Sequence, residues 1–288
     1  MNSEGEVEAE YFSKDFDWEE LRSETESNPS LRHHFQSFSS SSSQSPQSDV
    51  QAWKQFHTRH STGKFFKERR YLLKEFPELL SSSPSNSNPK LLEVGCGNGS
   101  TILPILRANK DIVVYACDCS DETLEKATEI ITANAADLFK HHFKEDNGLH
   151  LRDSCSSDEF DRCVGGVDFI TLIFTLSAVP LERMPRSIKE CFTVLKPGGM
   201  VLFRDYGLYD MTMLRFESDK RVGFREYMRS DGTRSYFFCL NTVRNLFLGA
   251  GFIELELDYC CVKSVNRKKG KSMRRVWVHG KFQKPALR

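Results

Sequence analysis

The chain lacks the features that mark membrane-spanning and secreted proteins. No apolar run in its 288 residues reaches the length that a transmembrane helix needs, and no signal-peptide pattern opens it. Its nine cysteines form neither a two-knuckle zinc pattern nor the spacing of a disulfide framework. We therefore expect free thiols in a reducing compartment, for which the cytoplasm is our prediction, and neither a membrane partner nor a bound metal.

The chain also has no net charge, although its charges are unevenly distributed. Residues 1–28 hold ten acidic residues against Lys14 and Arg22, whereas residues 263–288 hold ten Lys or Arg and no acid. This asymmetry predicts an acidic tail and a basic face that can meet a polyanion, although a charge run alone is more often only a solvated surface. The basic cluster at 267–275 keeps the nucleus as a second candidate compartment.

Composition and hydrophobic spacing divide the chain into four segments. Residues 1–50 are acidic and then rich in serine, which predicts a disordered tail. The helical spacing of aromatic side chains over residues 51–80 predicts an N-terminal helical cap, and residues 81–89 form a linker of Ser, Asn and Pro. Residues 90–288 alternate strand-like and helical stretches, which predicts one α/β domain with a doubly wound, mostly parallel sheet and an insertion at 206–238.

The strands of this domain are predicted at 91–95, 112–117, 149–152, 167–174 and 199–204. A helix is expected from Leu240 to Ala250, closed by Gly251. Two β-rich runs follow at 253–262 and 274–283, and we expect them to form an antiparallel pair at the sheet edge. In such a sheet the ligand binds at the carboxyl ends of the parallel strands.

The most specific motif is Glu93-Val-Gly-Cys-Gly-Asn-Gly99, which lies between a predicted strand and a predicted helix. Nineteen residues after Gly99 comes Asp118, at the end of the second predicted strand. The glycines let a ligand lie against bare backbone, which a Cβ would block, and a carboxylate can accept both hydroxyls of a ribose. The combination predicts a nucleoside site, with a glycine-rich turn that holds no ligand as the alternative.

Two classes of cofactor compete for this motif. A dinucleotide fold places its third small residue at position 100, which is Ser100 here, whereas this chain has Gly99 one place earlier. The spacing E-x-G-x-G-x-G is instead typical of methyltransferases that use S-adenosylmethionine. The motif therefore favours S-adenosyl-L-methionine as the cofactor.

The insertion contains a strong hairpin signal at Asp231-Gly232, between β-prone flanks. Arginines and aromatic residues alternate around it in Tyr227-Met-Arg and Arg234-Ser-Tyr-Phe-Phe238. Such a mixture predicts a surface for bases and phosphates. The alternative is an ordinary exposed hairpin.

Several blocks together resemble a known family, the methyltransferase-like tRNA N3-methylcytidine methyltransferases. They are Trp53-x-x-Phe56, Leu92-Glu-Val-Gly-Cys-Gly-Asn-Gly99, Tyr115-Ala-Cys-Asp118, Leu172-Ile-Phe-Thr-Leu-Ser-Ala-Val179, Phe203-Arg-Asp-Tyr-Gly207 and Asp231-Gly-Thr-Arg-Ser-Tyr-Phe-Phe238. The resemblance spans about residues 51–285. It implies a Rossmann-like sheet of seven strands and methyl transfer from S-adenosylmethionine to N3 of a cytidine in the tRNA anticodon loop. It implies tRNA as the partner and leaves open whether an aminoacyl-tRNA synthetase assists.

The resemblance implies cofactor contacts at seven positions: Trp53, His57, Gly95, Gly97, Asp118, Asp153 and Ile173. Asp118 is implied to hold the ribose, Asp153 the adenine amino group, and Trp53 to close over the site. His57 departs from the pattern, because this family usually has Tyr there, although an imidazole can also stack or donate a hydrogen bond.

On the acceptor side we predict Asp205 as the carboxylate beside the cationic product base, with Arg204 and Tyr206 shaping its pocket. The alternative is an ion pair between Arg204 and Asp205 that only holds the end of the strand. Further contacts with the RNA are predicted at Tyr206, Arg215, Arg229, Arg234, Lys268 and Lys269.

Other functions fit less well but stay open. Enzymes that methylate C5 of cytosine use a Cys after Pro, and no Pro-Cys dipeptide occurs here. Amino-group methyltransferases often carry Asn/Asp-Pro-Pro-aromatic after the fourth strand, where this chain has Ile173-Phe-Thr-Leu176. A methyltransferase that acts on a small molecule or protein remains an alternative, as does a non-catalytic RNA-binding protein with this fold.

Overall fold

A seven-stranded sheet forms the centre of the protein. The computed structural model describes residues 14–38, 49–59, 68–80, 88–145, 166–266 and 270–286. The strands are β1 (Lys90–Val94), β2 (Val113–Cys117), β3 (Phe143–Glu145), β4 (Val167–Ile173), β5 (Leu195–Tyr206), β6 (Arg221–Gly223), β7 (Glu226–Met228), β8 (Arg234–Tyr236), β9 (Ile253–Asn266) and β10 (Lys271–Gln283). The helices are α1 (Trp18–Ser27), α2 (Asp49–Arg59), α3 (Leu72–Glu75), α4 (Ile102–Ala108), α5 (Asp121–His142), α6 (Met184–Val194) and α7 (Leu240–Ala250).

The central sheet has the strand order β3-β2-β1-β4-β5-β10-β9. Strands β1 to β5 pair in parallel, whereas β10 runs antiparallel to β5 and to β9. The central strands are buried on both faces, as the near-continuous apolar runs require, with Leu91, Leu92 and Ile170 at most 1% exposed. The predicted doubly wound, mostly parallel seven-stranded sheet is therefore confirmed.

The end of the chain forms the expected antiparallel pair at the sheet edge, as β9 and β10. Helix α7 precedes it and ends at Gly251, whose φ of 102° is a left-handed conformation that favours glycine. The third strand differs from the expectation, because Phe143–Glu145 pairs with β2. The predicted strand at 149–152 lies outside the described residues.

The insertion carries a separate three-stranded sheet in the order β6-β7-β8. The predicted hairpin is confirmed, since Arg229 N–H donates to Thr233 O at 2.8 Å and Asp231-Gly232 forms the turn between β7 and β8. The prediction of an aromatic binding surface is wrong for this hairpin. Its aromatic residues are at most 2% exposed because they pack into the core beneath it: Tyr227, Tyr236, Phe237 and Phe238.

The predicted disorder of residues 1–50 is wrong for residues 14–38 and for residues 49–50, which begin α2. Asp17 caps α1 by accepting the N–H of Glu20 at 2.9 Å, and Leu21 is 1% exposed. The Trp18 ring stacks on Tyr259 with a centroid distance of 4.4 Å. The average composition of residues 1–50 did not reveal that this segment folds. Its few apolar side chains pack against the domain and not against one another. Residues 1–13 and 39–48 lie outside the described part.

The N-terminal cap contributes α2, α3 and a 3₁₀ turn at Pro77–Leu80. Leu72, Phe76 and Leu79 are at most 1% exposed and join the hydrophobic core that includes Leu91 and Ile105. This packing fixes the residues just before α3 beside the carboxyl ends of the strands. None of the described helices is long and apolar enough to cross a membrane.

Candidate active site

A cavity of about 880 Å³ opens where the parallel strands β1, β2, β4 and β5 end. The residues that follow these strands line it: Gly95 after β1, Asp118 after β2, Phe174 after β4, with Tyr206 at the end of β5. The carboxyl ends of the strands meet at one edge of the sheet, which is where ligands bind in open α/β folds. The cavity therefore lies where the sequence predicted a nucleoside site.

The glycine loop after β1 forms one side of this cavity. Gly95 has a φ of +70°, and a Cβ there would lie 2.6 Å from Thr175 Cγ2. Gly97 has a φ of +54°, but a Cβ there would meet nothing within 4 Å. Gly95 is thus required by the protein's own packing, whereas the backbone at Gly97 faces open space that a ligand can approach.

Asp118 lies beside this loop and is fixed by it. Its Oδ2 accepts the N–H of Gly97 at 3.0 Å, and its Oδ1 accepts the N–H of Ser120 at 3.2 Å. Ile173, the last residue of β4, is 1% exposed and forms part of the apolar cavity wall. The structure therefore brings together Gly95, Gly97, Asp118 and Ile173 as the sequence predicted, while Asp153 lies outside the described residues.

Helix α2 covers the same side of the cavity. Trp53 and His57, one turn apart, both line it, and their ring centroids are 5.9 Å apart. The buried Nε1 of Trp53 has no hydrogen-bond partner among the described residues. An unpartnered buried donor, a carboxylate and an open glycine backbone in one cavity fit a nucleoside cofactor such as S-adenosylmethionine.

A buried carboxylate supports the glycine loop from behind. Glu93 is fully buried and accepts a hydrogen bond from Thr171, and burial raises the pKa of its carboxyl to about 7. Arg69 opposes this rise, and its Nη1 donates to Thr101 Oγ1 at 3.1 Å. Arg69 also lines the cavity, with its guanidinium carbon 5.4 Å from the ring centroid of Phe174. The sequence did not predict Arg69 as a residue of the site, although it lies in the predicted cap.

Three aromatic residues form another part of the cavity wall. Phe174 lies 5.1 Å from Tyr206 and 6.4 Å from Trp277, measured between ring centroids. Phe174 has a φ of 56°, which is unusual for a residue other than glycine, and its N–H donates to Arg204 O at 2.8 Å. Strained backbone of this kind persists where the surrounding structure imposes it, often at functional sites. We call Phe174, Tyr206 and Trp277 the aromatic wall; the sequence had pointed only to Tyr206.

Asp205 lies behind this wall and is fully buried. Its Oδ2 accepts the N–H of Ser177 at 2.9 Å, and its Oδ1 accepts the N–H of Tyr206 at 2.8 Å. Burial raises the pKa of Asp205 to about 6, against the effect of these hydrogen bonds. The carboxylate thus holds two residues that line the cavity, and its role beside the methylated base stays a prediction.

Arg204 does not shape the pocket directly, and it does not pair with Asp205, so both sequence-based interpretations are wrong for it. Its fully buried guanidinium forms an ion pair with Glu75 of α3. The guanidinium carbon lies 4.4 Å from the ring centroid of Trp277 and 5.0 Å from that of Tyr71. Because both rings line the cavity, Arg204 supports the site from behind.

The predicted RNA contacts separate into three groups. Arg229 lines the cavity, whereas Arg215 is exposed on a turn away from it. Arg234 also lines the cavity but is only 11% exposed, and it pairs with Asp49 of α2 and Glu226 of β7. These ion pairs hold the Arg234 guanidinium in place, and its contact with the RNA stays a prediction. Lys268 and Lys269 lie outside the described residues.

Four further basic residues line the cavity. They are Lys54, Arg183, Arg186 and Arg275. Arg275 is paired with Asp210 at 2.9 Å, whereas Arg183 is exposed at the start of α6. Within the described part of the chain, no cluster of three or more His, Cys, Asp or Glu residues is arranged to hold a metal ion.

Comparison with known proteins identifies the family. The model of a methyltransferase domain matches residues 65–256. The tRNA N(3)-cytidine methyltransferase METTL6 of Homo sapiens is 38% identical over 236 residues, which cover 81% of this chain and 79% of that protein. The chain belongs to the tRNA N(3)-cytidine methyltransferases.

Other members of this family have a similar sequence identity to this chain. METTL2 of Danio rerio is 35% identical, covering 81% of this chain and 72% of that protein. The protein trm140 of Schizosaccharomyces pombe is 37% identical, covering 81% and 73%. A solved S-adenosylmethionine-dependent methyltransferase from Anabaena variabilis shares the fold, with a TM-score of 0.59 at 15% identity over 82% of this chain and 94% of that one. This family member is therefore an S-adenosylmethionine-dependent methyltransferase, as its glycine loop and Asp118 predicted.

Proposed function

We propose that the protein transfers a methyl group from S-adenosylmethionine to N3 of a cytidine in the anticodon loop of tRNA. The observation that carries this proposal is that one cavity of about 880 Å³ joins the glycine loop and Asp118 to the aromatic wall. A volume of this size lies in the upper part of the usual range for ligand sites. The cavity has a nucleoside side and, next to it, a side suited to a flat base.

The chemistry places modest demands on the protein. Bound S-adenosylmethionine supplies a methyl group on a positively charged sulfur. The lone pair of cytosine N3 forms the new bond to the methyl carbon, the carbon–sulfur bond breaks, and its electrons remain on sulfur. No proton has to leave N3 first, so no strong general base is needed. Orientation of the two reactants is the main contribution of the site, and it can supply about 7–11 kcal/mol.

The aromatic wall provides the orientation of the base. A base that is paired in a duplex hides N3, and extruding it costs on the order of a few kcal/mol, less in a loop. Stacking on an aromatic side chain returns about 1–3 kcal/mol per base. Phe174 and Tyr206 are half-buried in the cavity wall and present such a surface. This arrangement favours a cytidine in a single-stranded loop.

The basic residues around the cavity suit the backbone of the RNA. Lys54, Arg183, Arg186 and Arg229 line it, and cations at such positions contact phosphates and make binding sensitive to salt. We keep the cytoplasm as the proposed compartment, because the seven described cysteines are all free thiols. An aminoacyl-tRNA synthetase that presents the anticodon loop stays part of the proposal, and adding purified synthetases to the methylation assay tests it.

The direct test is methyl transfer to total tRNA. Purified protein is incubated with S-adenosylmethionine carrying a labelled methyl group, and the RNA is digested to nucleosides and analysed by mass spectrometry. We expect the label in N3-methylcytidine. Label in a protein or metabolite fraction with none in RNA would support the alternative methyltransferase classes, and cofactor binding without any transfer would support a non-catalytic RNA-binding protein.

A further inference from the structure

Two buried polar atoms on the acceptor side of the cavity have no hydrogen-bond partner among the described residues. They are Ser235 Oγ, in β8, and Trp277 Nε1, in β10. Ser235 is 1% exposed, and both residues line the cavity. A buried polar group without a partner costs about 1–3 kcal/mol. A wall that keeps two such groups is therefore suited to a ligand that supplies the missing hydrogen bonds.

Both groups belong to the side of the cavity with the aromatic wall. Trp277 is paired with Tyr206 in the register of β10 and β5, and its ring lies in a T-shaped arrangement with that of Phe174. Strand β8 packs against the turn Leu176–Ala178, which follows Phe174. The glycine loop and Asp118 form the nucleoside side, where the cofactor is held. The missing partner is thus expected from the acceptor base and not from the cofactor.

Two carboxylates near this wall, Asp205 and Asp231, already accept hydrogen bonds from the protein. Asp205 accepts the N–H groups of Ser177 and Tyr206 and does not line the cavity. Asp231 lines it, but its Oδ1 accepts both the N–H and the hydroxyl of Thr233, at 2.9 and 2.7 Å. Ser235 Oγ, in contrast, can accept a hydrogen bond and has no partner among the described residues.

The chemistry of cytosine assigns the two groups. Its Watson–Crick edge carries the N4 amino group, a hydrogen-bond donor, then N3, then the O2 acceptor. N3 must stay free for the methyl group. An indole N–H can only donate, so it suits O2, whereas a serine hydroxyl can accept from the amino group. We infer that Ser235 Oγ accepts a hydrogen bond from cytosine N4 and that Trp277 Nε1 donates one to O2. This assignment rests on the proposed function and makes both residues determinants of base recognition.

The first test removes the serine hydroxyl. Ser235→Ala should lower kcat/KM for an anticodon stem-loop RNA about tenfold, the effect of one hydrogen bond. The dissociation constant for S-adenosylmethionine, measured by calorimetry, should not change, and the melting temperature should not fall, because Ser235 Oγ has no hydrogen-bond partner among the described residues to lose. Ser264→Ala, on β9 outside the cavity, is the matched control and should behave like the wild type. Unchanged kcat/KM in Ser235→Ala would overturn the assignment.

The second test changes the base. A stem-loop in which the target cytidine is replaced by the 2-pyrimidinone nucleoside keeps N3 but lacks the 4-amino group. Loss of the amino group also makes N3 a weaker nucleophile, which slows wild type and variant alike. The base change should therefore lower kcat/KM about tenfold more in the wild type than in Ser235→Ala, the effect of one hydrogen bond. Equal losses from the base change in wild type and variant would show that Ser235 does not contact N4. If the wild type methylates no cytidine RNA, the proposed function fails before this inference is reached.

Trp277→Phe gives an independent test, because it removes Nε1 and keeps an aromatic ring in the wall. We expect kcat/KM on the cytidine RNA to fall about tenfold, and the effect to shrink on 2-thiocytidine RNA, whose sulfur is a weaker acceptor than O2. A loss that is the same on both RNAs would show that the indole N–H does not contact the 2-position. A variant as active as wild type on cytidine would also refute the contact.

Discussion

Arg234 Nε lies 3.3 Å from Asp49 Oδ1, which ties the hairpin of the insertion to the first residue of α2. At the other end of α2, Thr58 Oγ1 donates to Glu122 Oε2 at 3.0 Å. The helix that carries Trp53 and His57 is therefore held at both ends over the cofactor side of the cavity. The two ends are attached to the substrate insertion and to the Rossmann-like domain respectively.

Breaking the first of these contacts should weaken cofactor binding. Asp49→Asn removes an ion pair whose two side chains are only 21% and 11% exposed, and such a pair contributes about 1 kcal/mol. We expect the dissociation constant for S-adenosylmethionine to rise about fivefold, the equivalent of about 1 kcal/mol. Glu254→Gln is the control, because it breaks the ion pair of Arg244 and Glu254 away from the cavity. Equal affinities in Asp49→Asn and wild type would mean that this ion pair does not hold α2 in its cofactor-binding position.

Substituting alanine for the first two glycines of the loop should affect stability differently at the two positions. Gly95→Ala places a Cβ 2.6 Å from Thr175 Cγ2, so we expect it to destabilise the fold by about 2–3 kcal/mol. Gly97→Ala meets nothing within 4 Å, so it should cost only about 1 kcal/mol for its left-handed φ while reducing cofactor affinity. Urea unfolding and calorimetry separate the two effects. The same loss of stability in both variants would contradict a ligand-facing role for Gly97.

Arg204 should matter for stability, because its guanidinium is buried against Glu75. Arg204→Met leaves the Glu75 carboxylate without this partner, which typically costs about 3–5 kcal/mol. We expect a lower urea midpoint, with partial recovery in the double variant Arg204→Met, Glu75→Gln. Normal stability with lost turnover would instead restore the direct role in the pocket that the sequence had suggested.

Asp205 should make stability depend on pH. Burial raises its folded-state pKa from 3.8 to about 6, so between these values the folded protein binds more protons than the unfolded one. The stabilisation is fully present below pH 3.8 and is lost as the pH rises through about 6. Asp205→Asn should flatten the fall in unfolding free energy over this window, by an amount on the order of 1–3 kcal/mol. Glu93, with its pKa near 7, should still contribute to the pH dependence of stability at higher pH. If the unfolding free energy of Asp205→Asn falls with pH as steeply as that of the wild type, Asp205 stays ionised in the folded protein.

The features that the sequence predicted correctly are mostly local ones, set by residues close together along the chain. The glycine loop from Glu93 to Gly99, the hairpin at Asp231-Gly232 and the helix that ends at Gly251 are local patterns with a fixed conformation, and all are present. Asp118 could be placed because parallel strands end at one edge of the sheet.

Contacts between residues far apart in the sequence could not be predicted from local patterns. Glu75 and Arg204 are 129 residues apart, and no local pattern shows that they meet. Helix α1 has only a short apolar side, which does not reveal what it packs against. The ring partner of Trp18, Tyr259, lies in β9, far along the chain. The hairpin aromatics were misassigned because alternation does not show which face of a small sheet is covered.

The most direct measurement compares three versions of one anticodon stem-loop RNA as methyl acceptors. The target cytidine is left in the loop, replaced by uridine, or paired within an extended stem, and the methylated nucleoside is identified by mass spectrometry. We predict N3-methylcytidine from the first RNA only, because uridine N3 carries a proton and a paired cytidine hides its N3. Methylation of all three RNAs, or at an atom other than N3, would contradict the account.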